Sequence, residues 1–238
     1  MRAKHLHDWQ MTPEQAKRLQ LELARMVSRR NDVDAVHLVA GVDISAPDAT
    51  GLARAAVVVL SYPELTPVET RVIAKRITFP YVPGLLSFRE SPLILATCEE
   101  LKVVPDLILV DGQGIAHPRR LGLASHLGLL WDKPTIGCAK SRLCGEHAMV
   151  APERGSYTEI IDSGEVIGAA LRTKAGAAPL YVSIGHKVDL KTAIDWVLRC
   201  CRGQRLPEPT RLAHLAASDR LESTESARAH EDQLRLKL

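Results

Sequence analysis

The chain has 238 residues, 46% of them hydrophobic and 25% charged, which supplies a sizeable core and excludes a largely disordered or low-complexity protein. At roughly 150 residues per domain, this length fits one compact domain with additions. Thirty-one Lys and Arg against 28 Asp and Glu leave a net charge of +3, which permits a polyanionic partner without requiring one.

Thr12, Pro13 and Gln15 supply an N-cap, a first-turn proline and a capping-box partner. Ala16, Leu19, Leu23, Met26 and Val27 follow on one face, so the spacing predicts a helix over 13–29. Segments 36–42 and 54–62 read as two strands of a hairpin turned by Pro47, Asp48 and Gly51, and 68–78 alternates like a half-buried third strand. Three prolines and a glycine make 79–92 an ordered loop, from which Ser91 and Pro92 cap a helix running to about Val103. The uninterrupted apolar run 106–110 predicts a buried parallel strand ending in Asp111-Gly112. A helix over 119–131 and a strand over 134–139 continue the alternation. Asp162-Ser163-Gly164 joins 157–161 to 165–172 as a hairpin, 180–184 adds a strand, and helices follow over 189–201 and from Pro209. The whole predicts an α/β fold: a mixed sheet in which three antiparallel strands are followed by parallel ones, flanked by helices. Residues 218–238 are polar without an apolar face and read as a frayed helix or disordered tail, leaving 1–217 as a single domain.

Apolar stretches such as 55–60 and 107–110 are far short of the roughly 18 residues that a membrane span needs, so no membrane partner is expected. Charges scattered through the first thirty residues leave no room for the apolar core of a signal peptide. Five cysteines without CxxC spacing read as reduced thiols, and a cytoplasmic location is expected.

Three acids close elements of this pattern: Asp43 after 36–42, Glu90 at the end of the proline-rich loop, and Asp111 after 106–110. A carboxylate at the end of a buried strand is costly to desolvate, and a hard divalent cation with oxygen ligands, Mg²⁺ or Mn²⁺, compensates. Taken singly, each Asp reads first as a turn cap. With 36–42 in the middle of the meander and 106–110 parallel beside it, Asp43 and Asp111 emerge at one sheet edge. Facing carboxylates there would hold ions that contact a phosphodiester and acidify an attacking water, which is phosphoryl hydrolysis. Gly112-Gln113-Gly114 does not complete a dinucleotide fingerprint, because the third glycine is Gly122 and Pro118 intervenes.

VAGVDIS at 39–45, FPYVPGLLSFRE at 79–90 and LILVDGQGIAHPRRLGLASHLG at 107–128 together resemble the endonuclease V family. PTIGCAKSRL at 134–143, RTKAGAAPLYVSIGHKVDL at 172–190 and LPEPTRLAHLAA at 206–217 extend the resemblance in the same order. It implies an RNase H-like fold and a Mg²⁺-dependent DNA repair endonuclease, with Mn²⁺ as a substitute ion. Such an enzyme hydrolyses the second phosphodiester bond 3′ to deoxyinosine, leaving a 3′-hydroxyl and a 5′-phosphate. The resemblance places the metal-binding acids at Asp43, Glu90 and Asp111, a histidine beside the metal at His214, and a lysine near the scissile phosphate at Lys140.

By the same resemblance, Pro80, Tyr81, Val82 and Pro83 form a stiff wedge whose leading side chain, Tyr81, enters the helix where a base has left the stack. Gly84 and Gly112 admit close backbone approach to the extruded hypoxanthine, with Leu86, His117, Gly122 and Ser183 as further lining. Deoxyinosine-containing DNA is therefore the expected partner and a monomer suffices. Inosine-containing RNA is the alternative substrate, and a non-catalytic lesion-binding protein the alternative of another class.

Overall fold

The computed structural model describes residues 1–221, so the tail expectation from residue 222 onward lies outside the described residues. Helix α1 (Pro13–Ala24) opens on the predicted capping box, with Thr12 and Gln15 each bonding the other's backbone N–H. It stops five residues before the predicted end. The chain from Ser28 to Asp32 is instead drawn out along the end of a distant strand, where Lys187 N–H donates to Ser28 O (2.8 Å) and Asp32 N–H to Lys187 O (3.0 Å).

Strands β1 (Leu38–Ile44), β2 (Leu52–Ser61) and β3 (Pro67–Arg76) form the antiparallel meander. Its middle strand is β2, not the 36–42 segment predicted for that place. The inner edge of β1 is thereby left open, and β4 (Leu107–Val110) pairs with it in parallel, Val42 opposite Val110. Strand β5 (Thr135–Ala139) continues in parallel beside β4, and β8 (Leu180–His186) pairs antiparallel to β5. Strands β6 (Tyr157–Asp162) and β7 (Glu165–Leu171) complete a single eight-stranded mixed sheet of order β3-β2-β1-β4-β5-β8-β7-β6, the RNase H-like arrangement.

Helix α2 (Leu86–Glu99) begins inside the segment predicted as loop and carries Pro92 in its interior. Pro92 costs one backbone hydrogen bond, but Ser87, Phe88, Ser91, Leu93, Ile94 and Leu95 are all buried, and that packing decides the conformation. Helix α3 (Leu123–Trp131) starts four residues later than predicted, capped by Gly122, because 115–122 wraps as an irregular segment with Arg120 in the left-handed region. Helices α4 (Leu190–Arg199) and α5 (Glu208–Ala217) close the described chain.

Alternate residues of the strands feed two cores. Val39, Val58, Leu107, Leu109 and Ile136 face α4 and α5, whereas Ala40, Val42, Val57, Ile108 and Val110 face α2 and α3. Gly41 sits where α5 meets β1: a Cβ there would overlap the backbone carbonyl of Pro209. The missing side chain allows α5 to lie directly on β1 near Asp43. Among the described residues no helix is long and apolar enough to cross a membrane.

Candidate active site

The parallel pairing of β1 and β4 carries both strand ends to the same place. Asp43 is the penultimate residue of β1, and Asp111, just past β4, donates its N–H to Val42 O (3.0 Å). Helix α5 delivers His214, whose Nδ1 lies 2.7 Å from Asp43 Oδ2. The loop after β5 delivers Lys140, whose Nζ lies 2.5 Å from Asp111 Oδ2. One ligand atom from each of Asp43, Asp111 and His214 falls within 4.8 Å of the others, a group that can hold a metal ion.

Negative charge is in excess here. Burial, and then the neighbouring Asp111, push the Asp43 carboxyl up to about 6, against hydrogen bonds from His214 and the Ile44 N–H. Glu90 stands on α2, not at a loop end, and its carboxyl is pushed up to about 8 by burial and by the charges of Asp43 and Asp111. It is near enough to feel both aspartates but lies outside the 4.8 Å group. Three acids gather where Lys140 supplies the ammonium, and this oxygen-rich, under-neutralised donor set suits a divalent cation.

The segment Pro80 to Pro83 projects beside this centre. Tyr81 is 73% exposed, while Val82 packs on the cluster of Leu85 and Phe88. The segment is anchored through Gly84, which has φ of 78° and whose missing Cβ would lie 2.7 Å from Arg119 Nη2. The Gly84 carbonyl accepts from Gln20 Nε2 (2.9 Å), Arg119 Nη2 (2.8 Å) and His117 Nε2 (3.0 Å). Gln20, fully buried on α1, also donates to Leu121 O (2.9 Å) and accepts from Arg119 Nε (2.5 Å). His117 Nδ1 accepts from the Arg119 N–H (3.1 Å), so its proton is on Nε2. Burial and the Arg119 charge hold this imidazole down at about 4, neutral as the two bonds require.

A cavity of about 170 Å³ opens between this segment and the start of α3. Its walls include Tyr81, Val82, Pro83, Gly84, Leu86, His117 and Gly122 from the sequence reading. Pro80, Gly112 and Ser183 are not among them. Pro80 borders a different groove, Gly112 packs toward Leu123, and the buried Ser183 Oγ accepts from the Gly114 N–H (2.8 Å). Further residues that line or anchor this cavity are not assigned to it from the sequence: Ser87, Gln113, Leu121, Leu123 and Leu143 line it, and Gln20 anchors Gly84. Leu143, half exposed on the loop after Lys140, faces the cavity, and nothing in its sequence context marks it. Gln20 did leave a trace, as the polar residue between Ala16 and Leu23 on the apolar face of α1.

An RNase H-like sheet bearing paired carboxylates, an imidazole and an ammonium at one end belongs to the class of phosphodiester-cleaving nucleases. The sequence profile of endonuclease V matches residues 21–215, and the chain belongs to the endonuclease V family, whose members are hydrolases acting on DNA. Endonuclease V of Dehalococcoides mccartyi is 53% identical over 219 residues, covering 92% of this chain and 98% of the relative. The crystal structure of endonuclease V from Streptomyces avermitilis superposes with a TM-score of 0.84 at 40% identity, covering 89% of this chain and 93% of that one. A variant of endonuclease V of Ciona intestinalis, solved with a 23mer DNA containing an inosine followed by a ribo-adenosine, gives a TM-score of 0.73 at 32% identity over 88% of this chain and 98% of its own.

Proposed function

We propose that this protein is a DNA repair endonuclease that recognises deoxyinosine and hydrolyses the second phosphodiester bond on its 3′ side, leaving a 3′-hydroxyl and a 5′-phosphate. The observation that carries this reading is the meeting of Asp43, Asp111, His214 and Lys140 at one end of the sheet, next to an exposed tyrosine and a small cavity. The Ciona relative, bound to inosine-containing DNA, supports the choice of lesion.

In this reading Asp43, Glu90 and Asp111 would hold Mg²⁺, or Mn²⁺ in its place, which would supply Lewis acidity toward water and positive charge toward the phosphate. His214 fixes the orientation of Asp43 through their 2.7 Å contact. Lys140, drawn to Asp111, lends its ammonium to the phosphate as negative charge develops. Water attack with breakage of the bond to the 3′ oxygen gives the stated ends. Tyr81 occupies the gap left in the stack, and the cavity receives the extruded base. A close-fitting pocket rejects guanine by its extra amino group and adenine by donor and acceptor mismatch. His117 is held neutral with Nε2–H committed to Gly84, so it shapes the wall without adding charge.

Residues 1–217 act as one catalytic domain, active as a monomer in the cytoplasm, in keeping with five free cysteines, of which four are buried. A second reading, cleavage of inosine-containing RNA, is favoured by the ribo-adenosine beside inosine in the Ciona complex. Matched DNA and RNA strands separate the two. The test of the site is Asp43→Asn and Asp111→Asn: each should lower nicking by at least about 100-fold, more than loss of a supporting group around a metal costs, while binding to the lesion persists. Retained nicking would remove that residue from the site.

A further inference from the structure

A second opening lies on the other side of the projecting segment, a groove of about 440 Å³ walled by Lys75 and Arg76 at the end of β3, by Trp9 and Phe79, and by Pro80 and Arg89. Pro80 borders this groove while its neighbour Tyr81 borders the small cavity, so the wedge segment touches both. Sheet register fixes how the groove stands to the carboxylates. Asp43 pairs with Ala56 and Ala56 with Val72, and β3 runs in the same direction as β1. Lys75 and Arg76 therefore lie three and four residues beyond the Asp43 row, roughly 10 to 13 Å along the strands and about 10 Å across them, at the same end of the sheet.

The groove's chemistry is cationic and aromatic together. Lys75 and Arg76 are exposed, and among the described residues neither is ion-paired. Asp48, whose carboxylate feels Arg76, is committed to its own turn by Thr50 and Leu52. Trp9 and Phe79 are half-buried against Phe88, which holds their rings in place. Cations that track a backbone beside rings that accept an unstacked base are the means by which proteins hold single-stranded nucleic acid. The offset between this groove and the carboxylates is of the order of the width of a DNA groove, about 12 Å, which is the scale that separates two backbones of one duplex.

We propose that this groove binds the undamaged strand opposite the lesion once the wedge has opened the duplex. The inference rests on the deoxyinosine reading above. With the damaged base in the small cavity and Tyr81 in the gap, the orphaned partner base and its phosphates fall on the Pro80 side, where rings and cations await them.

Two double variants test it, Lys75→Glu with Arg76→Glu and Lys75→Gln with Arg76→Gln, both at exposed positions. Dissociation constants are measured in EDTA, over a salt series, for a duplex carrying one deoxyinosine and for the inosine strand alone. The charge reversal should weaken duplex binding about tenfold and single-strand binding less than twofold, and the Gln variant should make the duplex log–log salt slope shallower by about 2. Equal losses on both forms, a loss on the single strand alone, or unchanged duplex binding would overturn the proposal. Nicking of the same duplex by the unaltered protein with Mg²⁺ reports separately on the deoxyinosine reading. Failure to nick would remove that reading, whereas nicking together with unaffected duplex binding by the variants would remove the groove alone.

Discussion

At the scale of single residues, the Gly84 carbonyl is the point on which the recognition side of the site turns. Three donors from Gln20, Arg119 and His117 converge on it, and Gln20 is itself fully buried. Replacing Gln20 by Leu keeps the bulk but removes the donor to Gly84 and Leu121 and the acceptor for Arg119. A buried polar network that loses one member costs about 1–3 kcal/mol, and at roughly 2–4 °C per kcal/mol for a chain of this size the melting temperature should fall by several degrees. Selectivity for inosine over normal duplex should fall with it, because the wedge loses its anchor, and competition binding between the two duplexes reads this. A Gln20→Leu protein with unchanged melting and selectivity would show that Arg119 and His117 suffice. His214→Ala should lower nicking by about 10–100-fold, the usual cost of removing a group that orients a metal-binding carboxylate. The two strand-end aspartates were legible in the sequence because two apolar runs expected to lie parallel both close on an acid, whereas Gln20 left only a polar break in the apolar face of α1 and Leu143 acts through folded neighbours that no local pattern reveals.

At the scale of elements, the apolar run of β2, the alternation of β3 and the turn residues of the β6–β7 hairpin made their positions readable, as did the capping box of α1. The starts of α2 and α3 were not readable, because their conformation is decided by burial against the sheet and not by local propensity. Pro92 reads as a helix start and is instead an interior residue, its lost hydrogen bond outweighed by the packing of Phe88, Leu93 and Ile94. The order of the meander also exceeds what one strand's sequence contains: β1 pairs on one side with β2 and on the other with β4, and only the latter pairing assembles the site. Helix α5 depends on Gly41 for its seat on β1. Gly41→Ala should displace α5 at the cost of about 1–3 kcal/mol from overpacking, and nicking should fall further than stability because His214 moves with the helix. Denaturant midpoints and nicking rates on the same preparation separate the two effects.

At the scale of the whole molecule, the N-terminal segment ahead of α1 folds back across α2 and α3. Lys4 N–H donates to Leu130 O (2.6 Å), and His7 Nε2 lies 2.8 Å from Nε2 of the fully buried His126. His7 Nδ1 donates to Asp8 O (2.8 Å), so His7 Nε2 accepts and His126 Nε2 donates, leaving His126 Nδ1 bare and without a partner among the described residues. Burial holds the His126 imidazole down at about 3. A histidine whose folded value lies below its ordinary 6.5 stays neutral in the fold while the unfolded chain takes up a proton, so its contribution is present above about 6.5 and is lost as the pH falls toward 3. At about pH 5 that loss amounts to about 2 kcal/mol. Glu90 acts in the opposite sense, since its raised value favours the fold at low pH and that contribution is lost as the pH rises through about 8. The His126 part is isolated by comparing His126→Gln with the unaltered protein in EDTA at about pH 5 and about pH 7.5: the variant should lose less stability on acidification. An identical pH dependence in the two proteins would show that His126 is not protected from protonation.

Metal site, wedge and base cavity all bear on one reaction, cleavage of an end-labelled duplex with a single deoxyinosine, in Mg²⁺ and in EDTA, mapped to the nucleotide. A nick at the second phosphodiester bond 3′ to the inosine, with a 3′-hydroxyl, is expected in Mg²⁺ alone. An intact strand in Mg²⁺, or equal cutting in EDTA, would contradict a metal-dependent deoxyinosine endonuclease.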